Sequence, residues 1–237
     1  MTIKAILFDK DGTLLDFDAT FAPATAKVLA DLADGDGERE RQLAAAVNFD
    51  LTTSTIAPGS VLIAGSLDNI AECLMPHMGN ITQAEALAQI DALYVKYSLE
   101  TLAPFPFLES TLDQLQRIGL KLGVATNDSE EAAHAHLVQI GITERFCYVA
   151  GYDSGHGEKP EPGMVNAFVD HLGLQAHQVM MVGDSPHDCK AGRAAGAIAV
   201  AVTSGGLSAA ELAPHADYVI GSIEGLARLV AQLDNRG

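Results

Sequence analysis

Short apolar runs recur along the chain, and most stop abruptly at acidic, hydroxyl or glycine residues. No other feature constrains the fold as strongly. Ile3 to Phe8 stops at Asp9, Leu120 to Ala125 at Thr126-Asn127-Asp128, and Val179 to Val182 at Gly183-Asp184. Phe146 to Ala150 and Ala197 to Val202 are further runs, and Tyr218 to Ile220 is a weaker one. Most are unbroken rather than alternating, as expected of strands covered on both faces. Helical patterns separate them. Leu108 to Ile118 places Leu112, Leu115 and Ile118 on one stripe, and Ser129 to Gly141 opens with cap-type residues. Pro162 to Gly173 and Pro186 to Gly196 carry proline early and glycine late, matching the needs of helix ends. Ser208 to Glu211 fits a capping box. Strands alternating with helices predict an α/β fold built on a doubly wound parallel, Rossmann-like sheet.

The stretch from Asp16 to about Leu99 breaks this rhythm. It offers no convincing strand, and Phe21 to Leu32, Glu38 to Val47, Val61 to Met75 and Ala84 to Leu99 all read as helices. Thr82 to Glu85 is a capping box, and Asn48 to Thr55 reads as a polar loop. The expected organisation is a core of residues 1–15 and 100–237, with residues 16–99 forming an all-helical domain inserted after the first strand. The charge run Asp34 to Arg41 reads as a solvated turn and helix start.

Composition narrows the function. Basic residues number 14 against 31 acidic ones, a formal charge of −17. Such a chain repels polyanions, so neither nucleic acid nor an anionic membrane is an expected partner. A small anionic substrate stays open, provided a metal or a few placed cations reverse the sign locally. The three cysteines, Cys73, Cys147 and Cys189, are too scattered for a disulfide framework or a cysteine zinc site. No signal-like segment and no run of the ~20 apolar residues needed to span a bilayer is found. The expected location is cytoplasmic.

Phe8-Asp9-Lys10-Asp11-Gly12-Thr13-Leu14 carries the most chemical information. Two carboxylates stand two residues apart where a strand leaves the sheet. Ligands of open α/β sheets bind beyond the carboxyl ends of the strands, and paired acids there need a cation or a shared proton. Gly12 permits a sharp turn. Taken alone, the pair fits a polar turn equally well. Three further segments shift the balance: Thr126 after one strand, Lys159-Pro160 after the glycine-rich loop Gly155 to Glu158, and Gly183-Asp184 with Asp188 after another. Each is weak alone, yet all fall at or just beyond strand ends on one edge of the sheet.

With these residues in hand, the chain resembles the haloacid dehalogenase (HAD) superfamily, and most closely its phosphoglycolate-phosphatase-like branch. The first motif matches as Asp9-Lys-Asp11-Gly12-Thr13, the second as Thr126-Asn127, the third as Lys159-Pro160 and the fourth as Gly183-Asp184 with Asp188. The resemblance covers nearly the whole chain, and the insert is similar to the family's helical cap. It implies a Mg²⁺-dependent phosphatase acting on a small phosphorylated metabolite. Asp9 is the implied nucleophile and Asp11 the implied acid and base, with a raised pKa. Thr126, Asn127 (through its backbone) and Lys159 are the implied phosphate holders. Asp9, Asp184 and the Asp11 carbonyl are the implied metal ligands, and Asp188 is expected to orient Lys159 or a metal-bound water.

Other residues receive structural readings. Lys10, between the two aspartates, is expected to point away from them, as alternation along a strand requires. His134 and His136 do not face each other on a helix, so a joint metal site is not expected. His156 and His187 lie in loops of the site. Two alternatives stand beside the phosphatase: a sugar-phosphate mutase of the same superfamily, and a non-catalytic phosphate-binding or regulatory module.

Overall fold

A computed structural model describes residues 2–235. Its strands, in chain order, are β1 (Ala5–Phe8), β2 (Phe49–Asp50), β3 (Thr55–Ile56), β4 (Lys121–Ala125), β5 (Tyr148–Ala150), β6 (Val179–Gly183), β7 (Ile198–Val202) and β8 (Tyr218–Ile220). The chain divides into two compact units. One runs from the amino terminus to Asp16 and resumes at Pro104; the other is Phe17–Ala103. The sequence places these boundaries near residues 15/16 and 99/100. The second moves because the helix Gln83–Thr101 runs further than its apolar pattern.

The first unit is an α/β domain around a six-stranded sheet in the order β5-β4-β1-β6-β7-β8, with every pairing parallel. All six strands fall within the apolar runs read from the sequence, apart from one added residue, Gly183. Both faces are covered. Ile6, Phe8, Val124 and Val182 pack with Leu112 and Leu115 of the helix Leu108–Arg117 and with Leu229 and Leu233 of the helix Leu226–Asp234. Ala5, Leu7 and Met181 turn the other way, onto Met164, Val165 and Phe168 of the helix Gly163–Leu172. Alternate residues of one strand thus enter two different cores, so the run must be apolar throughout. Gly123 of β4 is bare because any side chain there would overlap the Phe168 ring.

This topology decides where a site can form. From β1 the chain goes on to β4 and then β5 on one side of it, and after β5 crosses to β6, β7 and β8 on the other. Phe8 pairs with Val124 and with Val182, so three strands finish level with one another. That is the switch point at which an open sheet leaves a crevice beyond its strand ends.

The second unit is mainly helical, with Val28, Leu29, Leu43, Leu74 and Ile90 among its buried residues. Three details differ from expectation. The first helix spans Phe17–Ala33 with Pro23 inside it. Proline is expected only in a first turn, which makes the sequence suggest a start at Phe21. The expected helix Val61 to Met75 is two helices, Val61–Ala64 and Leu67–Leu74. Gly65 is extended at the break, and Ser66 starts the second helix with a capping box to Asn69. Finally, the stretch Asn48 to Thr55 is not purely loop. β2 and β3 form a short antiparallel ladder, pairing Phe49 with Ile56 and Asp50 with Thr55. The Asp50 carboxylate accepts from the backbone of Thr52 and Thr53 and closes the turn. Two-residue strands are too short to show an alternation in sequence. Among the described residues, no helix is long and apolar enough to cross a membrane.

Candidate active site

β1 ends at Phe8, and the next residue is Asp9, whose N–H still donates to the Val182 carbonyl at 2.7 Å. The chain then turns. Leu14 and Leu15 both donate to the Lys10 carbonyl, and Gly12 donates to Leu15 O. Gly12 takes φ +76°, and the Ser204 hydroxyl donates to its carbonyl at 2.8 Å. Glycine is required at position 12 for two reasons: the positive φ, and the carboxylate of Asp184, which occupies the space a Cβ would take. Gly205 lies against the same carboxylate and would collide with it in the same way if it carried a side chain. Asp184 is therefore seated between two bare stretches of backbone.

Asp9, Lys159 and Asp188 are buried together. The Lys159 ammonium donates to Asp9 Oδ1 at 2.5 Å and to Asp188 Oδ1 at 2.6 Å. Asp188 is held from its other oxygen by the Ser185 hydroxyl and backbone N–H, at 2.6 and 3.0 Å, within the capping box that opens the helix Pro186–Ala194. One carboxylate oxygen each from Asp9, Asp184 and Asp188 lie within 4.8 Å of one another. Three acids share this space with one ammonium, so the local charge is negative. A divalent cation that takes oxygen ligands fits such a donor set.

Titration follows the crowding. Burial raises the Asp9 carboxyl to about 6, against the pull of Lys159 and with a further push from Asp188. Burial, then the charges of Asp9 and Asp188, raises Asp184 well above the ordinary carboxylate range. Burial by itself would lower Lys159, but Asp188 and Asp9 outweigh it and hold the ammonium above its usual value.

The segment after β4 braces this group. Asn127 does not point a free amide into the site. Its Nδ2 donates to Lys159 O at 2.9 Å, and its Oδ1 accepts from Lys159 N at 2.8 Å. The side chain thus clamps the backbone that carries Lys159. Thr126 is buried, and its Oγ1 accepts from Asp128 N at 3.1 Å, which leaves its own proton to donate.

Asp11 lies outside the carboxylate triad. Its side chain meets Lys10 instead, with Nζ at 2.7 Å from Oδ1 and 2.6 Å from Oδ2. The expected orientation of Lys10 is therefore corrected. Alternation lapses once β1 has ended at Phe8, and the turn brings neighbouring side chains together. Burial raises Asp11 to about 7, with Lys10 opposing and Asp128 and Asp9 adding to the rise. Lys10 also reaches Asp128 at 2.8 Å and His136 Nδ1 at 3.1 Å.

Asp128 and His136 were not legible as site neighbours. His136 is buried on the helix Glu130–Gln139, while His134 is solvent-facing and 3.9 Å from Glu130. A buried histidine two residues from an exposed one is a helix-face signal that the sequence carried without saying what it faced. Of the two loop histidines, His156 is exposed and His187 half-buried.

Comparison with known proteins gives a consistent picture. A family model described as haloacid dehalogenase-like hydrolase matches residues 3–196. The phosphoglycolate phosphatase of Rhodospirillum rubrum is 34% identical over 204 residues, covering 85% of this chain and 80% of the relative. That of Yersinia pestis is 30% identical over 207 residues, covering 86% and 82%. Among solved structures, a HAD phosphatase from Thermococcus onnurineus aligns with a TM-score of 0.70 at 23% identity, covering 96% of this chain and 98% of its own. A Thermotoga maritima protein provisionally named a β-phosphoglucomutase aligns with a TM-score of 0.70 at 17% identity, covering 98% and 100%. At these identities the two structures speak to the fold alone.

Proposed function

Because this chain belongs to the haloacid dehalogenase-like hydrolase family and is a phosphatase, we propose that it hydrolyses a small phosphate monoester by way of an aspartyl-phosphate on Asp9, with Mg²⁺ as cofactor. The observation that carries the reading is the meeting of Asp9, Asp184 and Asp188 with Lys159 beyond the ends of β1 and β6.

In this reading Asp9 attacks phosphorus and forms an acyl phosphate, as carboxylate nucleophiles do. Asp9 and Asp184, with the Asp11 main-chain carbonyl, would hold Mg²⁺, which would supply the positive charge that phosphoryl oxygens and an attacking carboxylate need in order to approach each other. Thr126, the Asn127 backbone and Lys159 hold the phosphoryl oxygens, and Asp188 keeps Lys159 in place. Fixed donors of this kind supply most of the acceleration in phosphoryl transfer.

Asp11 gives its proton to the departing alkoxide, then takes one from water as that water hydrolyses the acyl phosphate. Its elevation to about 7 supports the role, because a leaving-group acid must hold a proton near neutral pH. Phosphoglycolate is the proposed substrate, on the strength of the relatives near 30% identity that bear its name.

The test is phosphate release from p-nitrophenyl phosphate and a panel of metabolite phosphates, with Mg²⁺ and with EDTA. Release that requires Mg²⁺, ranks phosphoglycolate first and vanishes in Asp9→Asn is the expected result. Isomerisation of a sugar phosphate, primed by a sugar bisphosphate and without net release, would make the chain a mutase. No turnover of any ester would make it a binding module.

A further inference from the structure

Lys10 is the most deeply enclosed charge in the molecule's first loop, with no solvent-exposed side-chain surface. An aliphatic chain could fill that volume without the desolvation a buried ammonium suffers. The lysine is therefore explained by what its charge touches. Its ammonium meets acceptors from three parts of the chain: both Asp11 oxygens, at 2.7 Å (Oδ1) and 2.6 Å (Oδ2), Asp128 Oδ2 at 2.8 Å and His136 Nδ1 at 3.1 Å. For Nδ1 to accept, the ring must be neutral with its proton on Nε2.

Asp128 and His136 are themselves fixed. Asp128 N donates to Thr126 Oγ1, Tyr152 N donates to the Asp128 carbonyl, and His136 is locked into the helix Glu130–Gln139. Both anchors thus belong to the β4 side of the crevice, while Asp11 belongs to the β1 turn. Lys10 spans the two Asp11 oxygens, which sets the plane of that carboxyl group as well as its place.

We propose that Lys10, anchored by Asp128 and His136, is a positioning residue that holds the Asp11 carboxyl group in the orientation from which it protonates the leaving group. This rests on the phosphatase reading above. Lys10 touches neither substrate nor metal in this scheme; it acts through Asp11. A misplaced acid matters most when the leaving group is a poor one. An alkoxide needs the proton, whereas p-nitrophenolate departs without it.

The test therefore compares two esters, p-nitrophenyl phosphate and the alkyl phosphate that the wild-type protein hydrolyses fastest. The quantity compared is kcat/KM, which covers the steps through leaving-group departure. Lys10→Met is expected to lower kcat/KM for the alkyl ester by roughly 30-fold or more and for the aryl ester by less than about threefold, given the 10²–10⁴ that general acids contribute. Asp128→Asn keeps the local shape and is expected to give the same selective loss, about fivefold on the alkyl ester; it carries the test if Lys10→Met fails to fold. An equal loss on both esters, or no loss, overturns the positioning role while leaving the phosphatase reading intact. Wild-type protein that turns over no alkyl phosphate overturns that reading, and the role of Lys10 with it.

Discussion

Lys159 and Asp9 stand 150 residues apart in sequence, yet the lysine ammonium is 2.5 Å from the aspartate carboxylate. The same ammonium lies 2.6 Å from Asp188. One cation thus restrains two of three crowded carboxylates. Removing one member of a buried ion pair typically costs about 3–5 kcal/mol, because the partner is left charged and unpaired. Lys159→Met is expected to lower the unfolding free energy of EDTA-treated protein by about that amount. Added Mg²⁺ should recover part of it. Denaturant titration with and without the metal checks both.

The raised carboxylates give stability a defined pH dependence. Asp9 moves from 3.8 to about 6 and Asp11 from 3.8 to about 7. A carboxyl group raised on folding binds more protons folded than unfolded, so stability falls as pH rises between those values. His136 works the other way. Burial first, and the Lys10 charge second, lower it from 6.5 to about 3, so its contribution grows as pH rises through that window. The difference between Mg²⁺-loaded and EDTA-treated protein separates the two effects, because the histidine contributes to both. That difference in Tm is expected to widen from pH 5 to pH 7.5. A constant difference would place the metal elsewhere.

Turnover should show the same groups. With Asp9 needed as carboxylate and Asp11 needed protonated, kcat/KM for an alkyl phosphate is expected to decline above about pH 7, and binding of Mg²⁺ should push the acid limb below 6. Asp11→Asn removes the proton donor and should lower alkyl phosphate turnover by roughly 10²–10⁴-fold. A steady-state pH profile of wild type and variant checks both expectations.

Gly205→Ala tests the seat of Asp184 without touching a charge. Gly205 does not take a positive φ, so alanine adds only a methyl group, which would occupy the space of the Asp184 carboxylate. Mg²⁺ affinity, read by titration of activity or by calorimetry, is expected to fall at least about tenfold, the loss seen when a ligand's support is disturbed. Far-UV circular dichroism should be unchanged.

Phe168→Ala addresses the sheet rather than the site. The ring is buried against Gly123 and Leu7, and truncating such a residue typically costs about 3–5 kcal/mol. Denaturant unfolding checks the magnitude, and the chemistry at the β1 end should survive in the folded fraction.

Local pattern alone placed all six strands of the sheet, most plainly β1, β6 and β7, because a strand covered on both faces is apolar along nearly its whole length. It also pointed to Asp9, Asp11, Thr126, Lys159, Asp184 and Asp188, each weakly by itself and together because all fall at or beyond strand ends on one edge of the sheet. What lay beyond a run's end was another matter. The direction of Lys10 depends on a turn closed by hydrogen bonds from Leu14 and Leu15, and no periodicity extends through a turn. The β2–β3 ladder is two residues long, below the length at which alternation registers.

The sequence by itself thus determined the layered α/β architecture and the roster of acids, hydroxyls and lysine at the strand ends, because burial and chain reversal act through neighbouring residues. Only the tertiary structure decided their partners: Lys159 between Asp9 and Asp188, Asn127 gripping the Lys159 backbone, and Lys10 turned onto Asp11 with Asp128 and His136 behind it. Those choices are contacts between segments far apart in the chain, fixed by the parallel register that brings β4, β1 and β6 side by side.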